Sequence, residues 1–303
     1  QESPGWDIRL AGAYPTRDFT RLVMESAVGR LGLIGQEVSW ARVNELREGL
    51  ADVELVSLPN IVNEIRAVKD DKEIASIRAA VRMMEEVLTQ LYGMIRPGST
   101  TDCELATALK VKLIQRGSDV SFPPILVSGS DSAVIHGNPF KLRKERGYDK
   151  IIQHGDIIQF DVGCIVDGYA SDISRVVVVG KVAERQQKMH RAVLEAIEAA
   201  KSYYCPGMLG RLGYEEADKV LKTHGFEKGL VHGLGHSIGL KVHDGHPSVS
   251  KGSDNVLHVG NVISIEPGIY LEGYGGMRIE RDVLITEDGP EFLDELTIDL
   301  IEL

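Results

Sequence analysis

Cysteine is scarce in this chain. Its three residues, Cys103, Cys164 and Cys205, are widely spaced and odd in number. They form neither a zinc pattern nor a disulfide framework, which fits a reducing compartment, and a cytoplasmic location is expected. Basic charge is short as well. Lys and Arg number 34 against 45 Asp and Glu, a formal net charge of −11. That balance argues against nucleic acid as the main partner, since phosphate binding needs a basic surface; it suits a protein that holds cations. No apolar run approaches the roughly 18 residues of a membrane span, so no membrane partner is expected. The opening QESPGWDIRL has neither the basic start nor the apolar stretch of a secretory leader, and it lacks an initiator Met. The expectation is a fragment or a processed product. Low-complexity segments are missing too.

What is present is enough for a sizeable core: 303 residues, 43% of them apolar, fit one large domain or two unequal ones. Residues 1–66 read as a partial α/β domain. TRDFTRLVMESAVGRLG looks helical with Thr16 as its cap, LGLIG is a strand, SWARVNELREGL is a helix capped by Ser39, and VELVSL is a second strand. LPNIVNEIRAVKDD reads as a connector. Residues 67–303 form the second domain. A long helix runs from Asp71 to about Gly93, with Ile74, Ile77, Val81, Met84 and Leu88 on one stripe. Another starts near Thr101. The pattern then turns to β-branched runs punctuated by glycine: PILVSG, AVIHG, DIIQFDVGCIV and ISRVVVVG. Two helices (Ala183–Tyr204 and Leu212–His224) precede strands at NVISIEPGIYL and GMRIERDVLITE. Helices, strands, helices, strands in that order predict an α+β domain with two similar halves.

Four of the nine histidines fall in LVHGLGHSIGLKVHDGHP: His232, His236, His243 and His246. His232 and His236 have the spacing of a helical zinc motif, but the glycines of HGLGH disfavour a helix and the required Glu is missing. Any further ligands must come from elsewhere. QFDVGCIVDGYASDISR offers Asp161 and Asp172 on either side of an Asp167-Gly168 turn, a hairpin that brings both carboxylates to one end of a strand pair. Two anions held together repel, and a cation is the simplest relief. Glu266 follows a buried strand in VISIEPGIY, and Glu280 lies in GMRIERDVLIT. A buried Glu is rare unless paired or metal-bound. Each acid also has an ordinary reading: Asp161 as a strand end, Asp172 as a cap, Glu280 paired with Arg278, Arg281 paired with Asp282. Two Asp, one His and two Glu from separate strands are less ordinary. Such an oxygen-rich set suits Mn²⁺, Co²⁺, Fe²⁺ or Zn²⁺, and several carboxylates favour two ions that share ligands.

DVG…SDISR, VHGLGHSIGL…HDGHP, ISIEPGIY and MRIERDVLIT together resemble the motifs of the pita-bread metallopeptidases, over about Ile65 to Leu303. The resemblance is closer to the Xaa-Pro branch (aminopeptidase P and prolidase), because Glu280 follows Glu266 so soon. It implies a pita-bread catalytic domain preceded by the end of a small α/β domain. It also implies a metal-dependent exopeptidase acting on dipeptides or peptides with proline after the scissile bond, through a hydroxide held by two divalent ions (Mn²⁺, Co²⁺ or Zn²⁺), and a homodimer. Asp161 would serve one ion, His236 and Glu266 the other, and Asp172 and Glu280 both. Glu266 would double as general base. His136, His232 and His243 match active-site histidines that do not bind metal and would meet the substrate carbonyl, oxyanion and leaving nitrogen. Arg278 would orient Glu280 or meet a substrate carboxylate. His154, His190, His224, His246 and His258 are expected to be structural or solvated. Arg281 stands where many relatives have an acid, and strand alternation turns it away from the ions. Three other readings share the fold: a creatinase-like hydrolase, which has a different ligand set, a methionine aminopeptidase-like enzyme, and a non-catalytic binding protein.

Overall fold

The computed structural model describes residues 12–13, 15–35, 37–59 and 61–303. Two compact units divide the chain, residues 1–65 and 66–303. The smaller contains α1 (Pro15–Glu25), β1 (Arg30–Ile34), α2 (Trp40–Gly49) and β2 (Glu54–Leu58). The strands pair in parallel, and Val23, Leu46, Leu50 and Val53 form a small core. Ser39 caps α2, its hydroxyl accepting from the Arg42 N–H at 3.3 Å. Thr16 does not cap α1. The helix already begins at Pro15, whose fixed φ suits a first turn, and the Thr16 hydroxyl donates to Glu45 at 2.9 Å. The stretch read as a connector contains a helix, α3 (Ile61–Ala67).

The larger unit opens with α4 (Asp71–Tyr92). Asp70 accepts from the Lys72 and Glu73 N–H groups at 2.9 Å while Glu73 accepts from the Asp70 N–H at 2.8 Å, a reciprocal cap. Ile77, Val81, Met84 and Leu88 of the predicted stripe are fully buried, and Ile74 is half-buried. Next come α5 (Asp102–Ile114), capped the same way by Thr101 and Glu104, and β3 (Ile125–Ser128). AVIHG is not the expected strand. A 3₁₀ turn at Gly129–Ala133 leads into a tight turn, with the Gly137 N–H donating to Val134 O at 2.9 Å. Ser132 is the cause: its hydroxyl donates to Gly129 O at 2.6 Å and accepts from the Gly276 N–H at 2.8 Å, competing with ladder pairing.

Then follow α6 (Pro139–Arg146), β4 (Ile157–Val162), β5 (Ile165–Val166), β6 (Tyr169–Ala170), β7 (Ile173–Val178), α7 (Glu184–Lys201) and α8 (Gly210–Thr223). The last run is β8 (Val262–Ile265), β9 (Gly268–Leu271), β10 (Gly275–Arg278), β11 (Arg281–Thr286), β12 (Gly289–Phe292) and β13 (Ile301–Glu302). One sheet has the order β13-β7-β4-β3, a second β12-β11-β8, and β9 pairs with β10. Every residue of β4 and β7 is buried, because both faces are covered. Ile158, Phe160 and Val162 join one core with α4 and α5. Ile157, Val176 and Val178 join the other with α7 and α8. Period-2 alternation therefore puts Gln159, Asp161 and Ser174 on the second face, where β10 and β11 approach. Among the described residues no helix is long and apolar enough to cross a membrane.

Candidate metal centre

β4 and β7 run antiparallel with Asp161 opposite Ser174, so Asp161 and Asp172 leave the pair at the same end. Beyond them β5 and β6 continue as a short hairpin, turned by Asp167 (φ 51°) and Gly168 (φ 86°), the left-handed pair that this turn requires. Glu266 follows β8. Glu280 sits between β10 and β11, where its N–H donates to Ser174 O at 3.1 Å and its carboxylate accepts from the Ser174 hydroxyl at 2.9 Å. The two sheets are thus joined at the point that places Glu280 beside Asp172. His236 hangs from a loop held by Ser264, whose hydroxyl accepts the His236 N–H at 3.1 Å. Its Nε2 lies 3.6 Å from Asp172 Oδ2 and 3.5 Å from Glu266 Oε1. One donor atom each from Asp172, His236 and Glu280 falls within 4.8 Å of the others.

All nine candidate residues, His136, Asp161, Asp172, His232, His236, His243, Glu266, Arg278 and Glu280, line one cavity of about 290 Å³, with Phe122, Ile125, Ile135 and Val242 as an apolar wall. His243 stacks on His236, ring centroids 3.9 Å apart. His232 Nδ1 lies 2.7 Å from Gly233 O and its Nε2 lies 2.9 Å from the Tyr270 hydroxyl. A carbonyl only accepts, so Nδ1 carries the proton and Nε2 accepts from Tyr270. Tyr270 in turn accepts from Arg278 Nη1 at 2.5 Å.

Burial dominates the electrostatics. It raises Asp172 and Glu280 well above the carboxylate range, and the neighbouring acids raise them further. It lifts Glu266 to about 8, against the pull of Arg278. It also lowers His236 to about 3 and His232 to about 4, and it lowers His243. The imidazoles are neutral at pH 7 while the carboxyls resist ionising together, the state of an anionic cluster short of positive charge. The fit to divalent cations is direct. Asp161 Oδ1, Asp172 Oδ1 and Glu280 Oε1 are buried with no hydrogen-bond partner. His236 Nδ1 faces Ser237 O at 3.3 Å, which leaves the Nε2 lone pair aimed at two carboxylates. A lone pair against an anion is repulsive unless a cation or proton lies between them. Two Asp, two Glu and one imidazole are the donors that hard-to-borderline divalent ions take.

Arg278 does not meet Glu280 directly. Its guanidinium pairs with Asp161, and only Ser174 links it toward Glu280, through Nε to the hydroxyl at 3.2 Å. Glu266 Oε2 is the other carboxylate oxygen near it, 4.0 Å from Nε. Arg281 turns outward to Asp294 at 3.1 Å and covers the Phe292 ring at 3.6 Å; it does not pair with Asp282. The remaining histidines lie elsewhere. His190 faces Ile298 O at 2.8 Å and His224 faces Glu195 at 2.7 Å.

Sequence reasoning overlooks Asp282. It is fully buried, its carboxylate accepts the Asp172 N–H at 3.1 Å, and its pKa is raised well above the usual range by burial and by Glu280. A signal exists, because residues 280 and 282 share one face of a strand. Tyr270 and Gln159 are overlooked as well. Gln159 clamps the Arg278 backbone with its amide, at 2.7 and 3.1 Å.

Residues 75–287 match the model of Metallopeptidase family M24. The Xaa-Pro dipeptidase of Pyrococcus furiosus is 32% identical over 272 residues, 89% of this chain and 75% of that protein. An uncharacterized peptidase of Bacillus subtilis, YqhT, is 30% identical over 304 residues, 99% of this chain and 82% of the relative. Among solved structures, an X-Pro aminopeptidase from Thermotoga maritima superposes with TM-score 0.86 at 31% identity, covering 97% of this chain and 81% of that one. An Xaa-Pro dipeptidase from Bacillus anthracis gives 0.90 at 28% identity, covering 99% and 82%. The larger unit has the pita-bread fold that its motifs implied, and the matched segment contains the whole carboxylate cluster. This chain belongs to metallopeptidase family M24.

Proposed function

We propose that the chain hydrolyses the Xaa-Pro bond of dipeptides or of peptide N-termini with two divalent cations, Mn²⁺, Co²⁺ or Zn²⁺. The observation that carries this reading is the set of buried oxygens without hydrogen-bond partners on Asp161, Asp172 and Glu280, lining one cavity with His236 and three further histidines. Asp161, Asp172, His236, Glu266 and Glu280 would hold the ions. When bound, such cations supply Lewis-acid polarisation of a carbonyl and make water nucleophilic near neutral pH. The chain does the rest. Glu266 accepts the proton of the attacking water. His243, neutral at pH 7, donates to the carbonyl oxygen as it becomes an oxyanion, while His232, its one proton committed to Gly233 O, holds the Tyr270 hydroxyl beside Arg278. His136 stands at the rim of the same cavity and returns a proton to the leaving nitrogen. Phe122, Ile135 and Val242 exclude water along one wall.

Proline suits this arrangement because an X-Pro bond is a tertiary amide with no N–H to satisfy. The relatives named as Xaa-Pro dipeptidases and as an X-Pro aminopeptidase support the same substrate class. The test is kcat/KM for Gly-Pro, Ala-Pro and Xaa-Pro-Yaa peptides, beside Ala-Ala and a Met-Ala peptide, in chelated enzyme and after reloading with each ion. Hydrolysis confined to proline substrates and restored by metal is the expected result. Equal rates on all substrates, or an advantage for Met-Ala, would reject the specificity. Activity that survives exhaustive chelation would reject the metallopeptidase chemistry. A homodimer belongs to the same reading, and light scattering that returns the mass of one 33.2 kDa chain would reject it.

A further inference from the structure

Among the described residues Lys69 is the one buried lysine, 4% exposed, and nothing in the reaction above uses it. Its ammonium donates to the Ser237 hydroxyl at 3.1 Å and to Ala67 O at 3.3 Å, and it lies 3.7 Å from Asp244 Oδ2. Asp244 is also buried. Its other oxygen pairs with Arg66 and accepts the Lys241 N–H at 3.2 Å, and its own N–H donates to Ser237 O at 2.9 Å. Ser237 and Asp244 are therefore the two feet of one loop, and both are fastened to the same ammonium. Each foot is the immediate neighbour of a site histidine. Ser237 follows His236 and Asp244 follows His243, the pair whose rings stack at 3.9 Å. Gly239, inside the loop, leaves the space the pair needs: a Cβ there would lie 2.3 Å from Asp244 Oδ2 and 3.1 Å from Lys69 Cε.

We propose that Lys69, acting through Asp244 and Ser237, is a positioning residue that sets the separation of His236 and His243. Ile238 anchors the His236 end of the loop in the core, but toward His243 Leu240 is exposed and Val242 only half-buried. The ammonium is thus the point that ties the His243 end of the loop to the His236 end. Burial lowers Lys69 to about 8, with Asp244 and Glu73 opposing the shift, so it remains a cation at neutral pH. A buried pair of this kind adds little net stability over an apolar substitute; what it adds is a defined geometry. That geometry matters for turnover if the chain has the activity proposed above, on which this inference rests.

The test uses metal-free, full-length protein with ¹³C-labelled histidine, so that the readout does not depend on turnover. Lys69→Met should move the ring signals of His236 and His243 and leave those of His154, His190 and His258 in place. Asp244→Asn keeps the loop's shape, removes its charge, and should move the same two signals. On the metal-loaded enzyme both variants should lose on the order of 10²-fold in kcat, the scale of a small misplacement of reacting groups, with KM and metal content unchanged. Signals of His236 and His243 that stay put in either folded variant would overturn the proposal, as would movement of all the histidine signals together. If Lys69→Met does not fold, Asp244→Asn alone decides. Wild-type protein inactive on Xaa-Pro peptides would refute the proposed activity, while the histidine signals would still test Lys69 independently.

Discussion

His243 and His236 differ by one geometric fact. His236 Nε2 faces Asp172 and Glu266 at 3.6 and 3.5 Å, whereas His243 lies against the His236 ring, stacked at 3.9 Å. His243→Ala should therefore keep metal and lose on the order of 10²–10³ in kcat, the usual worth of one oxyanion donor. Asp172→Ala should lose metal and activity together, because its carboxylate lies within 4.8 Å of ligand atoms from both His236 and Glu280. Metal analysis of the two purified variants separates these outcomes, and metal loss from His243→Ala would collapse the distinction. The same contrast shows what a sequence can reveal. Asp161, Asp172, His236, Glu266 and Glu280 stand out because so many acids beside one His in glycine-rich segments are unusual, whereas His136, His232, His243 and Arg278 can be named only by their match to the family motifs. The supporting groups Tyr270, Ser264 and Gln159 cannot, since a Tyr, a Ser and a Gln are ordinary until a hydrogen bond gives them a task. Arg278 can be named, but its position beside Glu280 points to the wrong acid. Which of five carboxyls a guanidinium chooses depends on strand pairing that no residue spacing encodes.

Gly163 lies between Asp161 and Asp172 in the chain and against Ser171 in space. A Cβ added there would sit 1.9 Å from Ser171 O and 2.2 Å from the Ser121 hydroxyl. Ser171 O already accepts from that hydroxyl at 2.9 Å, and the Ser171 N–H donates to Cys164 O at 3.0 Å, so the neighbouring backbone is fixed on both sides. Gly163→Ala should open the hairpin at the point where the two carboxylates converge. The expected cost is about 1–3 kcal/mol of stability, as for other overpacked sites, together with weaker metal binding. Calorimetry and a metal titration test this, and wild-type affinity in the variant would mean that the two aspartates are held by something other than the hairpin. Elements such as this one are legible where local chemistry announces them: the Asp167-Gly168 turn, and the caps at Ser39, Asp70 and Thr101. α6 has such signals too, with Asn138 before Pro139 and Gly147 after Arg146. It is easily missed because PFKLRKER has almost no apolar stripe, and of its residues only Pro139 is buried. AVIHG misleads in the opposite sense. Its β-branched residues suit a strand, but the preceding Ser132 diverts the backbone before pairing can begin.

The core of the larger unit brings together five carboxyls, Asp161, Asp172, Glu280 and Asp282 buried and Glu266 half-buried, and the free energy of that crowding depends on what neutralises it. In chelated protein it falls to protons. Glu266 sits near 8 in the fold against an ordinary 4.5, and Asp172, Glu280 and Asp282 are raised as well. A carboxyl raised on folding contributes fully below its unfolded pKa and loses that contribution as pH rises toward its folded pKa. The histidines work in the other direction. His236 and His232, lowered to about 3 and about 4 from 6.5, contribute above 6.5 and lose stability as pH falls below it. Above about pH 6.5 the histidine contribution is therefore flat, and only the carboxyl loss remains. Metal-free protein should show a Tm that falls steadily from about pH 6.5 to 8. In metal-saturated protein the carboxylates proposed as ligands would give up their protons on binding, and the fold would gain RT ln(1 + [L]/Kd) from the ion. The fall should disappear there, and Tm should stand above the chelated value throughout the window. Scanning calorimetry at matched ionic strength, with and without Mn²⁺, decides between them. A chelated protein whose Tm is level or rising between pH 6.5 and 8 would mean that the cluster is already neutralised from within the chain, and that divalent cations are not what its carboxylates were assembled to hold.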